Sequence, residues 1–191
     1  GSGSMDLSVG NLMALSGVIM ALMDTKLHMN PVVIVLAGLA VGVAGLCLNT
    51  WLIQKFALPG FILTLATGYV YTGIMWLVSG GQSVAGISNW MRFIGQGTIL
   101  GIPFQIYLMI LIAIVFTYLI KRTMFGRHAL AMGGNENAAR VCGIDITKNK
   151  FLIAVIMGAC VTVASLVTTG RASSAQLTAG SDTAMDTIAA V

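Results

Sequence analysis

The stretch PVVIVLAGLAVGVAGLCLNTWLI, residues 31–53, contains no Asp, Glu, Lys, Arg or His. A helix needs about 20 predominantly apolar residues to cross the hydrocarbon core of a bilayer. Pro31 stands at the start of the stretch, where a helix tolerates proline because the first N–H groups have no intrahelical partner. The stretch therefore predicts a transmembrane helix and places the chain in lipid.

The composition of the whole chain supports the same interpretation. Apolar residues make up 57% of the 191 and charged residues 8%, with a mean hydropathy of +0.93, whereas soluble domains carry about 25% charged residues. Ten basic residues against six acidic ones are too few for a nucleic-acid-binding surface. Cys47, Cys142 and Cys160 stand alone and no His lies at ligand spacing, so the sequence indicates no disulfide, no metal site and no cofactor.

Charged residues divide the chain into five apolar blocks. The predicted spans are 7–23, 31–53, 57–78, 103–120 and 151–169. The first block is short and contains Asn11, so it predicts either a complete span or a half-span. The sequence thus predicts an all-α fold, a polytopic membrane helix bundle with about five transmembrane segments.

Basic residues predict the orientation of the bundle. Cytoplasmic loops carry an excess of Lys and Arg. Loop 121–150 contains six of them and loop 54–56 contains Lys55, against three in all the remaining loops. We therefore expect loop 121–150 in the cytoplasm and loops 24–30, 79–102 and 170–191 on the opposite side.

Small residues recur at helical spacing in three of the blocks. The three sets are Gly10, Ala14, Gly17 and Ala21; Gly38, Gly42, Gly45 and Asn49; and Gly158, Thr162, Ser165 and Thr169. Each set forms one narrow face on which helix backbones can approach closely. Close packing is the first interpretation and a transport path along the same face is the alternative. Block 103–120 has no such face and is bulky all round, so we expect it to face lipid.

Polar residues inside the spans are the candidates for a translocation path. Because polar groups are costly in lipid, they usually face the bundle interior. The path candidates are Asn11, Asn49, Thr64 and Thr67. Hydrogen bonding between helices is the alternative explanation for each of them.

The longest polar passage, ALAMGGNENAARVCGIDITKNK, covers residues 129–150. Asn135 is a natural helix N-cap, and the two glycines before it, Gly133 and Gly134, predict a turn. Gly143 is placed to end the helix in a left-handed conformation, with Ile144 after it as an apolar contact. These signals predict a two-turn helix over about 136–142.

So short a helix is unstable alone and must lie against something. Glu136 and Arg140 complement the helix dipole and face each other four residues apart. The helix is then an ordinary connector, a docking helix for the groove of a partner protein, or a contact for lipid headgroups. The chain contains no G-x-x-x-x-G-K-[ST], H-E-x-x-H or G-x-S-x-G motif, so the sequence does not indicate an ATPase or an enzyme.

The passage FGRHALAMGGNENAARVCGIDITKNK, residues 125–150, resembles the cytoplasmic loop of permease subunits of bacterial ABC importers, in the branch serving ribose and related sugars. Four further passages agree in the family's order: MDLSVGNLMALSG (5–17), PGFILTLATGYVYTGI (59–74), GRASSAQLTAG (170–180) and DTIAAV (186–191). The Gly-Gly-Asn, Ala-Ala-Arg and Gly-Ile elements are shared with branched-chain amino acid permeases. The Asp-Leu-Ser-Val-Gly and Ser-Ser-Ala-Gln passages favour the sugar branch.

The resemblance implies a multi-pass subunit of the bacterial cell membrane that pairs with a second permease copy and forms the path for a ribose-like monosaccharide. It also implies an ABC ATPase subunit docked in the cytoplasm, which hydrolyses ATP on a separate chain, and an extracytoplasmic solute-binding protein. The implied ATPase-coupling residues are Gly133, Gly134, Asn135, Glu136, Ala138, Ala139, Arg140, Gly143 and Ile144.

This sequence departs from the family pattern near its end. Ala184-Met185 stands where relatives show Glu-Leu before the Asp186 run, and Leu177 replaces a common proline. Relatives also have a further span before this region and more spans after it, so the resemblance implies that 1–191 is one permease domain, incomplete at both ends.

Two alternatives to a monosaccharide importer stay open. The first is a permease for another small solute, such as a branched-chain amino acid, a nucleoside or an autoinducer-type molecule. The second is an ion-coupled secondary carrier. Such carriers often keep Asp, Glu or Lys inside their spans, and the four longer blocks contain none of these. A purely structural membrane scaffold would not explain the ordered polar passage.

Overall fold

A computed structural model describes residues 6–180 of the chain. Its helices are α1 (Val9–Thr25), α2 (Pro31–Phe56), α3 (Gly60–Ser79), α4 (Asn89–Gln96), α5 (Phe104–Arg122), α6 (Met124–Gly134), α7 (Glu136–Val141) and α8 (Ile146–Ala172). Four short strands accompany them: β1 (Val84–Ala85), β2 (Thr98–Ile99), β3 (Ile102–Pro103) and β4 (Ser174–Ala175). The all-α class is confirmed, and α2, α3, α5 and α8 are long and apolar enough to cross a membrane.

Helix α1 lies at the centre of the bundle, where it contacts α2, α3 and α8. Every residue from Leu12 to Val18 is buried, so the helix has no lipid-facing side along this stretch. A helix surrounded by protein does not need the hydrophobicity of a lipid-exposed span. This position suits a helix of 17 residues, which is shorter than the four candidate spans.

The small-residue faces pack the helices closely. Gly158 of α8 lies so near α2 that a Cβ atom added to it would be 2.6 Å from the Cα of Val43. Beside this contact the Thr162 hydroxyl donates to the carbonyl of Gly38 over 3.1 Å, and the Ser165 hydroxyl donates to that of Met13 over 2.8 Å. The hydroxyls therefore serve as interhelical hydrogen-bond donors, as close packing predicts.

Helix α5 contributes no buried residue to the described part of the chain. Its large side chains point outward along the whole helix, including Met109, Ile114 and Tyr118. This exposure agrees with the expectation that block 103–120 faces lipid.

The bundle has two different ends. At one end α7 packs beside α6 and the start of α8. At the other end β1 pairs antiparallel with β4, and α4 packs on the last turns of α8. Segment 79–102, predicted as a loop, thus contains α4, β1 and β2, elements too short for hydrophobic periodicity to reveal.

The prediction that Gly133 and Gly134 form a turn is wrong. Both belong to the last turn of α6, a helix that the sequence did not predict. The helix is interrupted instead at Asn135, whose φ of −157° and ψ of 106° are extended. Residues 129–132, Ala-Leu-Ala-Met, are strong helix formers and carry the helix into the glycines.

Candidate functional site

Helix α7 is closed at both ends by its own sequence. The Asn135 carboxamide oxygen accepts a hydrogen bond from the Ala138 amide over 3.0 Å, as predicted for an N-cap. Gly143 has a φ of +82°, its amide donates to the Arg140 carbonyl, and the Ile144 amide donates to the Ala139 carbonyl. This pair of bonds is the Schellman arrangement. The predicted two-turn helix and both of its caps are confirmed.

One face of α7 is anchored to the rest of the protein. Ala139 is 4% exposed and forms a small apolar cluster with Met132 of α6 and Ile146 of α8, against which Ile144 packs. Its side chain is therefore not on the outer surface, although the resemblance implied a contact there. The cluster supplies the support that so short a helix needs.

The opposite face of α7 is open. Asn137, Ala138 and Val141 are exposed there, and Val141 shares a face with each of the other two because residues three and four positions apart are neighbours on a helix. Val141 is 88% exposed, although it is apolar. Sequence reasoning missed Val141; a helical projection from the Asn135 cap would have placed it opposite Ala139.

Glu136 connects α7 to α8. Its carboxylate lies 2.8 Å from the ammonium of Lys150, whereas the predicted partner, Arg140, lies 3.9 Å away and is largely exposed. Lys150 is the less exposed of the two cations, and an exposed pair contributes little because solvent screens it. The shorter ion pair therefore joins the two helices, and the predicted i to i+4 pair is secondary.

A cavity of about 100 Å³, lined by apolar and polar side chains, lies beside this ion pair, between the start of α3, the end of α2 and the start of α8. Its polar lining residues are Asp6, Asn49, Thr50, Gln54, Thr64 and Lys150. The side-chain nitrogen of Gln54 is buried without a hydrogen-bond partner within the described residues. The space is large enough to hold water.

Two of the four path candidates border this cavity. Asn49 donates to the Ser8 hydroxyl over 2.8 Å and accepts from the Tyr71 hydroxyl over 3.0 Å. The Thr64 hydroxyl accepts from the Leu7 amide over 3.1 Å. Asn49 thus joins α2 to α3, Thr64 joins α3 to the segment before α1, and both side chains also line the space, so their contribution to a path stays a prediction.

The other two path candidates lie at helix contacts. The Thr67 hydroxyl donates to a carbonyl one turn earlier in its own helix. The Asn11 amide nitrogen lies 2.8 Å from the point that a Cβ atom on Gly68 would occupy. The structure does not bring these two residues to the cavity.

The family model described as "Branched-chain amino acid transport system / permease component" matches residues 2–191. This chain belongs to that permease family. It is 36% identical to the ribose import permease protein RbsC of Bacillus subtilis (strain 168) over 192 residues, which cover 100% of this chain and 59% of the relative.

Other members of the permease family are similarly related. The ribose import permease protein RbsC of Escherichia coli (strain K12) is 33% identical over 97% of this chain and 59% of its own length. The L-arabinose transport system permease protein AraH of the same strain is 35% identical over 92% of this chain and 53% of its own. The permease chain therefore spans less than two thirds of these relatives. No solved structure matches it.

The permease chain buries the Asp24 carboxylate at the end of the bundle opposite α7. Asp24 is 3% exposed and accepts hydrogen bonds from the Ser88 amide, the Ser88 hydroxyl and the Trp90 indole at 2.6, 2.8 and 3.2 Å. Three donors satisfy the charge and fix segment 84–90 over the end of α1. Sequence reasoning placed Asp24 in a loop, since nothing local links it to residues 64 positions away.

Within residues 6–180, no three His, Cys, Asp or Glu side chains come together as a metal site. Leu177, which replaces a family proline, packs against the main core. Ala184, Met185 and Asp186 lie outside the described residues.

Proposed function

We propose that the permease chain is part of the membrane-spanning subunit of an ATP-binding-cassette importer for a monosaccharide. A separate ATPase subunit would act on it through α7. The open face of α7 carries this proposal, because it exposes an apolar residue on a helix that is rigidly capped and anchored. The relatives named for ribose and arabinose support a monosaccharide as the cargo.

The shape of α7 suits docking into a groove. An amphipathic helix presents anchors three or four positions apart to a partner. Ala138 allows close approach and Val141 supplies the apolar contact, while Arg127 and Arg140 lie exposed nearby and suit an acidic rim. The contact of Ala139 with Ile146 and the ion pair between Glu136 and Lys150 link α7 to α8, so a movement of α7 would displace the start of α8.

The proposed assembly includes a second permease copy and an extracytoplasmic solute-binding protein, in a bacterial cell membrane with α7 in the cytoplasm. This topology can be tested with a native thiol. Cys142, next to α7, is exposed, whereas Cys47 and Cys160 are partly buried within spans. A membrane-impermeant maleimide should label Cys142 in inside-out vesicles and not in right-side-out vesicles; the reverse pattern would refute the topology.

Docking is tested with Val141→Arg in the complete permease, expressed with its ATPase subunit. We expect the ATPase to fail to copurify and sugar-stimulated ATP hydrolysis to be lost, because a bulky charge replaces the apolar contact. Thr147→Arg is the matched control, since Thr147 is exposed in the first turn of α8 outside α7. Wild-type copurification and uptake in Val141→Arg would exclude α7 as the docking helix.

A path through the inner cavity is the second part of the proposal. Asn49 and Thr64 are placed to line it, and hydroxyl and amide groups suit a sugar. Sugar uptake should fall in Thr64→Val, which keeps the side-chain volume and removes the polar group. Undiminished uptake with normal ATPase copurification would show that Thr64 only joins α3 to the segment before α1.

A further inference from the structure

The segment between α4 and α5 folds into a tight hairpin with a leucine at its tip. Thr98 pairs with Pro103 and Ile99 with Ile102, which leaves Leu100 and Gly101 as a two-residue turn. Their φ angles are 53° and 79°. Two positive φ angles define the type I′ turn, whose first position favours Asn, Asp or Gly.

Leucine is therefore unexpected at this position. A branched-chain L-residue is strained in the left-handed region, because its Cβ atom crowds the following carbonyl. The protein does not bury this side chain either, since Leu100 is 93% exposed. Neither turn chemistry nor the packing of the described residues accounts for Leu100, so its partner lies outside the fold described.

The surroundings of the hairpin indicate the chemistry of that partner. No charged residue occurs between Arg92 and Lys121, so the hairpin and α5 form one uncharged stretch. Ile99 and Ile102 are also exposed on the hairpin. A docking surface for a soluble protein would ordinarily carry a polar rim, and residues 98–103 offer only one hydroxyl side chain, that of Thr98.

The hairpin is fixed against the first turns of α5. The Phe104 amide donates to the Gly97 carbonyl over 2.8 Å, and the Tyr107 hydroxyl donates to the Ile99 carbonyl over 3.2 Å. The Phe104 ring also packs on Phe93 with a centroid distance of 5.7 Å. The tip therefore continues the exposed apolar surface of α5 and cannot swing away from it freely.

We propose that hairpin Thr98–Pro103 inserts into the interfacial region of the bilayer beside α5, with Leu100 in contact with lipid acyl chains. The interfacial depth follows from the backbone. A two-stranded hairpin leaves unpaired N–H and C=O groups on its outer edges, which the hydrocarbon core would not tolerate. Tyr107 agrees with this depth, because tyrosine is enriched at the membrane interface. The hairpin would set the vertical position of α5.

Depth-dependent quenching tests the proposal in the complete permease. Cys47, Cys142 and Cys160 are replaced by alanine, and a single cysteine carrying the fluorophore NBD is placed at Leu100. The protein is reconstituted in phosphatidylcholine vesicles with spin-labelled lipids. Gln82→Cys, in an exposed loop at the same end, is the aqueous control, and Met109→Cys, on α5, is the lipid control.

We expect NBD at position 100 to emit at shorter wavelength than at position 82 and to be quenched by lipids labelled near the headgroup. Emission and quenching equal to those at position 82 would overturn the proposal. A blue shift that appears only at high protein-to-lipid ratio would also overturn it, because a second copy would then cover the tip.

A second variant separates lipid contact from turn strain. With NBD at Ile102→Cys, quenching is compared between the native Leu100 and Leu100→Asn. Asparagine suits the left-handed position better, so the turn is retained and a loss of quenching reports lost insertion. Unchanged quenching in Leu100→Asn would show that the leucine does not hold the hairpin in the bilayer.

Discussion

Replacing Gly158 by alanine should destabilise the bundle, although alanine is the better helix former. The added Cβ atom would lie 2.6 Å from the Cα and 2.7 Å from the backbone nitrogen of Val43. Ordinary contacts begin at 3.4 Å, so α8 would have to move by about 0.8 Å. Because the obstacle is backbone, no side-chain rotation can relieve the clash.

The magnitude follows from two costs. Overpacking a well-packed interior costs about 1–3 kcal/mol. Separation of the helices also weakens the 3.1 Å hydrogen bond from Thr162 to Gly38, and such bonds contribute about 0.6 kcal/mol on average in membrane proteins. The two costs together should lower the free energy of unfolding by about 2–4 kcal/mol. The higher helix propensity of alanine offsets about 1 kcal/mol of this loss.

The matched control is Gly73→Ala in α3, where nothing lies within 4 Å of the added atom. Both variants gain the same helix propensity, so the difference between them isolates the packing cost. Unfolding of the complete permease in mixed micelles, titrated with sodium dodecyl sulfate and followed by circular dichroism, measures that difference. Equal midpoints for the two variants would refute the close approach of α2 and α8.

Three further outcomes follow from named contacts. Tyr71→Phe removes the buried hydroxyl that joins α3 to α2 and leaves the Asn49 carboxamide oxygen without this donor, so the free energy of unfolding in the same titration should fall by about 1–2 kcal/mol. Tyr69 is exposed, and Tyr69→Phe should leave the free energy of unfolding unchanged. Gly143→Ala, at a φ of +82°, should weaken the α7 cap by about 1 kcal/mol and speed amide exchange of α7, while Gly134→Ala, within α6 and free of neighbours, should not. The hydrogen bond from the Lys148 amide holds the pKa of the Asp145 carboxyl below its ordinary value. The stability that this carboxylate gives α8 as a cap is therefore fully present above the ordinary pKa and is lost as the pH falls through the lower pKa of the folded state. Asp145→Asn should abolish the resulting acid dependence of the amide chemical shifts in the first turn of α8.

The parts of this fold that local rules determine could be predicted from the sequence. The length of the uncharged stretch 31–53 was enough to predict α2, and Asn135 and Gly143 were enough to predict both ends of α7. Each of these signals acts within a few residues, through hydrogen bonds to the nearest amides or through the backbone conformation that one residue allows.

The contacts that define the candidate site were not predictable in this way. Glu136 has two cations within reach, and only the packing of α7 on α8 decides that Lys150 is the closer one. The Asp24 carboxylate is satisfied by Ser88 and Trp90 only because α4 and the preceding strand fold back over α1. Such pairings depend on tertiary geometry, for which spacing along the chain contains no information.

Helix α8 connects the two ends of the bundle, and this gives the proposed coupling a physical route. Its 27 residues extend about 40 Å. At its start the Lys150 ion pair and the Ile146 contact hold α7, and at its far end the Gln96 side chain of α4 donates to the Arg171 carbonyl over 2.8 Å. The stripe of small residues between these points packs α8 closely against α1 and α2. This packing opposes bending of α8 away from the bundle when α7 is displaced. Under the proposed function, a force that the ATPase applied at α7 would therefore reach α4 and the paired strands β1 and β4 at the opposite end.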